Sequence, residues 1–314
     1  MEMQKGQWSL DRFRIWTVMV VAVSMLFPPL LLIHRVEAQE SAIGPVAQVL
    51  PVSDAYPHVS RNGMIVFQSN RVGGSKLFTA MLDGAQLRQL TTGPGADVTP
   101  VWSPNGAQVV FASDRDGNED VWIVNADGTG LRNLTRHPAS DSHPSWSPDG
   151  QKILFCSTRG DGENDDIYVM SVNGSEAQRL TDNGLIWDTF PTFSPDGRKI
   201  LFRRLLRQRT NEGTLANSEI MVMNADGTGT VNLSKHPWFD GWPSWSPDGQ
   251  RIAFSSNRSD PYQIYVMNAD GSGLMQVVDS PYTDVRPQWL PHGRGLIFNR
   301  EHNGHIEMLQ VQLR

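Results

Sequence analysis

Short apolar runs alternate with polar, turn-forming segments along residues 54–314, and no stretch of this region has a helical period. The unit from Asp97 to Thr135 contains four such runs of strand length, and tight turns rich in Pro, Asp and Gly separate them. The runs are residues 99–102, 109–111, 121–124 and a short outer one that ends at Thr135. This pattern predicts a unit of four antiparallel β-strands.

The unit recurs six times. Each copy begins with Asp-x-x-Pro, a Phe follows eleven residues after the Pro (ten in the first copy), and the period is 43 to 52 residues. The copies begin at Asp54, Asp97, Asp141, Asp188, Asp240 and Asp284. Repeats of this length and strand content are typical of propeller blades. We therefore predict an all-β fold, a six-bladed β-propeller with four antiparallel strands in each blade.

The last blade lacks an outer strand within its own repeat, because the chain ends at Arg314. The apolar segment Pro45–Val52 precedes the first repeat and has no other predicted partner. We expect it to pair as the missing strand and close the ring, which removes the open sheet edges. Residues 39–53 then form a closing-strand segment, and residues 54–314 form the propeller.

Two sequence motifs carry a resemblance to a known family. Pro-Ser-Trp-Ser-Pro-Asp-Gly at residues 243–249 and Ile-Tyr-Val-Met-Asn-Ala-Asp-Gly at residues 264–271 resemble the TolB-type β-propeller repeat, and the likeness extends over about residues 54–314. The resemblance implies a six-bladed, usually exported binding platform. TolB proteins are periplasmic scaffolds that bind the peptidoglycan-associated lipoprotein, and they carry an α/β domain before the propeller. Only residues 39–53 are available here for such a domain.

Residues 1–38 have the pattern of a secretory leader. Basic residues precede the apolar stretch 15–33, and the small side chain of Ala38 stands where a signal peptidase would cleave. The alternative is that residues 15–33 remain as an uncleaved membrane anchor, since they are long enough to span a bilayer. Both alternatives predict an exported protein, periplasmic or extracellular.

Charge and cysteine content narrow the choice of partners. The first 38 residues carry four Lys or Arg and three Asp or Glu, so the remainder carries 23 basic and 30 acidic residues and a net charge of −7. No basic field is available to neutralise nucleic-acid phosphates. Cys156 is the only cysteine, so no internal disulfide is possible, and we expect it to be a small buried side chain. We expect a monomer that binds a protein and no nucleic acid.

The residue before each motif Pro differs from copy to copy within a repeated frame, as a specific pocket requires. These residues are Tyr56, Thr99, His143, Phe190, Trp242 and Arg286. With neighbouring loop residues they would form an aromatic, partly cationic channel mouth suited to a peptide or a sugar. The neighbours are Trp187, Trp238, Phe239 and His236. The alternative is that these side chains pack the channel.

Two sets of charged residues, one acidic and one basic, are expected at the same end of the propeller as this mouth. The six motif Asp could bind a cation or a basic partner, but Asp commonly accepts hydrogen bonds within its own turn, and we predict that structural role. The fourth repeat contains an insertion, Arg203–Ser218, whose basic residues are Arg203, Arg204, Arg207 and Arg209. It is either a contact for an acidic partner or membrane surface, or a solvated variable loop.

The sequence contains no motif of a serine hydrolase, a nucleotide-binding enzyme or a zinc protease. It contains no Gly-x-Ser-x-Gly, and its Gly-x-Gly turns lack the third Gly of a dinucleotide site. We therefore predict a non-catalytic scaffold of the cell envelope that binds a protein partner, without a cofactor or a metal. The alternative is a carbohydrate-active enzyme, a polysaccharide lyase or hydrolase, with a metal-assisted site at the channel mouth that uses His143 and Arg286.

Overall fold

The computed structural model describes residues 39–42, 52–160, 162–184, 186–210 and 213–313. For residues 39–42, 207–210 and 213–216 the backbone alone is described. The predicted leader, its cleavage site after Ala38 and residues 45–51 lie outside these ranges. No helix within the described ranges is long and apolar enough to cross a bilayer.

The described residues form six four-stranded antiparallel sheets, which confirms the predicted all-β, six-bladed propeller. The strands in chain order are β1 Gln39–Ala42, β2 Asp54–Val59, β3 Met64–Ser69, β4 Lys76–Met81, β5 Arg88–Gln89, β6 Asp97–Trp102, β7 Gln108–Ser113, β8 Asp120–Asn125, β9 Arg132–Asn133, β10 Asp141–Trp146, β11 Lys152–Ser157, β12 Asp166–Ser171, β13 Gln178–Arg179, β14 Trp187–Phe193, β15 Lys199–Thr210, β16 Gly213–Asn224, β17 Val231–Asn232, β18 Asp240–Trp245, β19 Arg251–Ser256, β20 Gln263–Asn268, β21 Met275–Gln276, β22 Thr283–Trp289, β23 Gly295–His302 and β24 His305–Gln312.

The first strand of each blade lines a central channel. Each of these strands contacts the first strand of the next blade, and the contacts run around the whole ring. They are β2, β6, β10, β14, β18 and β22. We call the end of the channel where the six Asp-x-x-Pro motifs begin the motif face, and the opposite end, where first and second strands are joined by Pro- and Gly-rich turns, the turn face.

The repeated aromatic residues pack between adjacent blades, as the sequence predicts. The six phenylalanines of the second strands are fully buried: Phe67, Phe111, Phe155, Phe202, Phe254 and Phe298. In one cluster, Val66 and Leu77 of blade 1 pack with Trp102 and Phe111 of blade 2. Burying an aromatic side chain contributes about 2 to 3 kcal/mol, so repeated inter-blade clusters of this kind form a core without disulfides.

An N-terminal strand completes the sheet of the last blade. β1 pairs antiparallel with β24, from Gln39↔Gln312 to Ala42↔Leu309. This segment precedes the predicted one, Pro45–Val52, of which only Val52 lies within the described residues, outside any strand. The last sheet therefore contains strands from both ends of the chain.

The insertion of the fourth blade is an extended hairpin, so the prediction of a loop over Arg203–Ser218 is wrong. β15 and β16 are twelve residues each and pair without interruption from Lys199↔Asn224 to Thr210↔Gly213. The insertion contains no Pro, and its only Gly is Gly213, where the two strands meet. Nothing in the segment therefore interrupts a ladder that the blade has already begun.

Candidate functional site

The six residues before the motif prolines, here called the ring residues, share one unusual backbone conformation. All have a positive φ, between 48° and 59°, and the pairing of the first with the second strand shifts register there in every blade. This conformation costs a non-glycine residue roughly 1 to 2 kcal/mol, whereas glycine adopts it freely. The absence of glycine from all six positions therefore favours a role other than local stability.

The preceding blade holds the backbone of several ring residues. The N–H groups of Tyr56, Thr99 and Arg286 donate to side chains of Asn299, Gln68 and Ser255, at 3.1, 3.0 and 3.0 Å. Each acceptor directly follows the core Phe of its second strand.

Cys156 occupies the equivalent position in blade 3. It is fully buried, as the sequence predicts, and burial raises the pKa of its thiol. The thiol therefore belongs to the frame that holds the ring and has no reactive character.

The ring side chains contact one another around the channel. The ring centroids of His143 and Phe190 lie 4.0 Å apart, and those of Phe190 and Trp242 lie 6.2 Å apart. The guanidinium carbon of Arg286 lies 4.6 Å from the centroid of Tyr56 and 5.2 Å from that of Trp242. These contacts bring five of the six ring side chains together at the channel.

A cavity of about 610 Å³ extends from the ring residues toward the turn face. Its described lining consists of the ring residues, the residues that follow them in the first strands, and the turns beyond, including the exposed Pro195 and Pro247. The predicted mouth lay on the motif face, whereas the cavity opens at the opposite end. The predicted neighbours Trp187, Trp238, Phe239 and His236 are not among its lining residues.

The charged residues of the described cavity lining are Arg61 and Arg286. His58 and His143 also line it, and burial lowers the pKa of His58 to about 4 and that of His143 to about 3. Both imidazoles are thus neutral at pH 7, and Nδ1 of His58 accepts a hydrogen bond from the Trp102 N–H at 3.2 Å. A histidine with so low a pKa is a weak general base at neutral pH.

On the motif-face side of the ring, Arg203 packs among aromatic side chains. Its guanidinium carbon lies 4.9 Å from the centroid of Phe190, 5.4 Å from Phe239 and 5.9 Å from Trp242. Its Nε donates to Thr189 Oγ1 at 2.9 Å. Gly241 permits this packing, because a Cβ there would lie 2.6 Å from Phe239 Cε1.

Arg204, the next arginine of the insertion, has a different partner. Arg204 forms an ion pair with Asp188 at 2.7 Å. Arg207 lies in β15, within the part of the hairpin where the backbone alone is described. Arg203 and Arg204 therefore act in internal contacts, which the sequence interpretation of a basic loop missed.

Each of the six motif Asp side chains pairs with an arginine, and Asp188 and Asp284 also accept hydrogen bonds from Asn183 and Ser280 of the preceding loop. In each blade an Arg that lies 16 to 18 residues further along the chain forms a salt bridge with the Asp: Arg71, Arg115, Arg159, Arg204, Arg258 and Arg300. The same guanidinium groups lie over the core phenylalanines. The recurring Arg was visible in the sequence. Each pair joins the start of the first strand of a blade to the second strand of the same blade, or to the loop that follows it.

The motif face carries an exposed tryptophan beside the extended hairpin. Trp238 is 56% exposed, the largest value among the large hydrophobic residues of the described chain. The loop that bears it is bound to β16, since Asn217 Nδ2 donates to the carbonyl of His236 at 3.0 Å. Trp187, which the sequence placed in a loop, begins β14 and is half-buried.

Burial raises the pKa of several carboxylates on this face, among them Asp166 and Asp188. Burial raises the pKa of Asp165 to about 6, against the favourable field of Arg203, and burial also raises the pKa of Glu119. The described residues contain no group of three or more His, Cys, Asp or Glu that could hold a metal ion.

The family model for the TolB beta propeller domain matches residues 56–213 and 190–314. A TolB structure from Agrobacterium tumefaciens is 23% identical, with a TM-score of 0.63 over 84% of this chain and 92% of that one. TolB from Acinetobacter baumannii is 18% identical, with a TM-score of 0.60 over 84% of this chain and 58% of that one. A search of curated proteins found no match.

Enzymes share the fold as well. An oligogalacturonate lyase in complex with manganese is 14% identical, with a TM-score of 0.57 over 90% of this chain and 97% of that chain. At such identities the likeness concerns the fold alone.

Proposed function

Because the chain belongs to the TolB beta propeller domain family, we propose that it is an exported, non-catalytic scaffold of the cell envelope that binds a protein partner at its motif face. A rigid propeller that displays loops at fixed positions loses little conformational entropy on binding. The basic and apolar pattern of residues 1–38 supports export.

The observation that carries the proposal is the asymmetry of the motif face at blade 4. Its hairpin extends six residue pairs beyond Arg204↔Glu219, the pair beside the motif Asp188, and Trp238 lies exposed next to it. Tryptophan is enriched at the energetic centres of protein interfaces. The Trp238 loop is also held in place, because the N–H of Phe239 donates to Asn257 Oδ1 at 2.9 Å.

The test is capture of a partner from envelope extract with the chain purified from its own compartment. We compare the unchanged protein with Trp238→Ala and with a variant whose residues 208–215 are replaced by Asn-Gly, which restores a two-residue hairpin turn. Leu274→Ala is the matched control, since Leu274 is 43% exposed but lies at the outer strand of blade 5.

We expect one discrete protein to bind the unchanged chain and the control. Affinity for that purified protein should fall by about 2 kcal/mol, roughly thirtyfold, in Trp238→Ala. Equal capture by all four proteins would show that the interface lies elsewhere on the molecule. No capture at all would contradict the scaffold proposal. N-terminal sequencing of the exported chain checks cleavage after Ala38.

A carbohydrate-active enzyme is the second candidate, because an oligogalacturonate lyase has the same fold over 97% of its length. His143 and Arg286, the two residues named for this alternative, both line the cavity. The donor set does not fit a manganese site, since the described residues contain no group of three potential ligands and no carboxylate lines the cavity. Incubation with oligogalacturonates, followed by ultraviolet absorbance of an unsaturated product, tests it. Turnover that His143→Ala abolishes would replace the scaffold proposal.

A further inference from the structure

The central cavity is cationic although the protein is acidic. Arg61 and Arg286 are the charged residues of its described lining, while the whole chain has a net charge of −6. No carboxylate of the described lining neutralises these arginines from within the cavity. A concave site with one sign of charge attracts ligands of the opposite sign.

Arg286 lies at the ring end of this cavity with donor groups unused. Its contacts with the rings of Tyr56 and Trp242 hold the guanidinium in place. Its Nη1 donates to Glu301 Oε1 at 3.2 Å, and Glu301 is 41% exposed and outside the cavity lining. Its Nε is buried and has no hydrogen-bond partner among the described residues.

Two further ring residues have the same deficiency. Trp242 and Thr99 line the cavity. Their side-chain atoms Trp242 Nε1 and Thr99 Oγ1 are buried and lack a hydrogen-bond partner within the described chain. Leaving a buried polar group unpaired costs about 1 to 3 kcal/mol, so the unpaired groups of Arg286 and Trp242, whose side chains are in contact, point to a missing partner.

We propose that this cavity is a binding site for a ligand that bears a carboxylate. The Arg286 guanidinium binds the carboxylate, and the apolar face of the ligand stacks on the aromatic ring residues. Arginine donors match the planar geometry of a carboxylate, and the cavity volume lies in the range of small-ligand sites. The cavity opens on the turn face, at the opposite end of the channel from the protein contact proposed on the motif face.

The test is calorimetric titration of the full exported chain with two matched pairs of probes. N-acetylphenylalanine and its amide differ only in the carboxylate of a peptide C-terminus, and glucuronate and glucose differ in the carboxylate of a sugar acid. We expect at least one acid to bind more than tenfold more tightly than its neutral partner. The pair that responds identifies the source of the carboxylate, and equal affinities within both pairs overturn the proposal.

Variants locate the site. Arg286→Gln should weaken the acid about tenfold or more and leave the neutral partner unchanged. Arg294→Gln is the matched control, because Arg294 is exposed at the turn face of the same blade and outside the cavity lining. Unchanged affinity of the acid in Arg286→Gln overturns the proposal.

A variant of opposite effect protects the test against misfolding of Arg286→Gln. Glu301→Gln removes the carboxylate that shares the Arg286 guanidinium, so affinity for the acid should rise severalfold. No rise in this variant counts against the proposal. Trp238→Ala should retain the affinity for the acid, so loss of the protein partner and loss of the ligand are distinguished.

Discussion

At the scale of single residues, the motif Asp side chains of blades 2 to 6 are fully buried charges, and each of them pairs with an arginine. The side chain of Asp141 is fully buried, and Arg159 Nη2 donates to it at 2.6 Å. Taking a carboxylate out of water is expensive, and only a close, hydrogen-bonded partner offsets that cost. The pair therefore fixes which strands meet at the motif face, in addition to any net contribution to stability.

Arg159→Ala should lower the free energy of unfolding by about 3 to 5 kcal/mol, because it leaves Asp141 buried without its partner. Arg71→Ala is the matched control in blade 1, where the side chain of Asp54 is 14% exposed and water can replace the arginine. We expect a clearly smaller loss there, and chemical denaturation measures both. Equal losses in the two blades would contradict the argument from burial.

At the scale of elements, the third strand of each of the first five blades carries a buried polar side chain that binds the connection to the next blade: Lys76, Asp120, Asp166, Glu219 and Gln263. In blade 4, Glu219 Oε2 accepts hydrogen bonds from Ser234 Oγ at 2.5 Å and from the His236 N–H at 3.2 Å. In blade 5, Gln263 Nε2 donates to the carbonyls of Ser280 and Tyr282 at 2.9 Å. These bonds position the loops of the motif face, including the one that bears Trp238.

Glu219→Leu should speed amide hydrogen exchange across residues 233–239 and lower stability by about 1 to 3 kcal/mol, because the donors of Asn217, Ser234 and His236 lose this acceptor. Glu219→Gln is the conservative control, since it keeps a carbonyl acceptor and blade 5 has Gln263 at the same place. Exchange in that variant should stay near that of the unchanged protein. Fast exchange in both variants would indicate that the carboxylate charge itself is required.

Blade elements were predictable because Asp-x-x-Pro, the core Phe and the turn glycines recur in sequence. The hairpin of blade 4 was not predicted, because an insertion that has no counterpart in the other repeats is normally interpreted as a loop. In the structure its two strands pair without interruption. The partner of each Asp was missed for a related reason. The arginines lie 16 to 18 residues away, and turn chemistry directs attention to nearer groups.

At the scale of the whole molecule, the ring residues could be assigned to the channel from the sequence, but the side on which the cavity opens could not. That direction depends on how the six side chains pack across the axis, and it is set by contacts such as those of Phe190 with His143 and Trp242. The molecule consequently has two distinct ends. Trp238 and the hairpin lie at the motif face, and a cationic cavity opens at the turn face.

The pairing of β1 with β24 joins both chain ends in one blade, so its removal should affect the whole ring. A chain that begins at Gly44 should unfold at a lower temperature than one that begins at Gln39, and it should associate at high concentration through the freed edge of β24. Thermal unfolding and light scattering measure the two effects. Identical behaviour of both chains would assign no closing role to β1.

The left-handed backbone of the ring residues has an evolutionary consequence. The repeated backbone frame, and not the side chain, sets that conformation. A mutation at a ring position therefore changes the side chain that lines the channel and does not require the fold to rearrange. Tyr56, His143 and Arg286 differ widely in size and charge yet occupy the same geometry. A chain built by duplicating one blade could thus acquire a new specificity by single substitutions, with each of six sites free to diverge on its own.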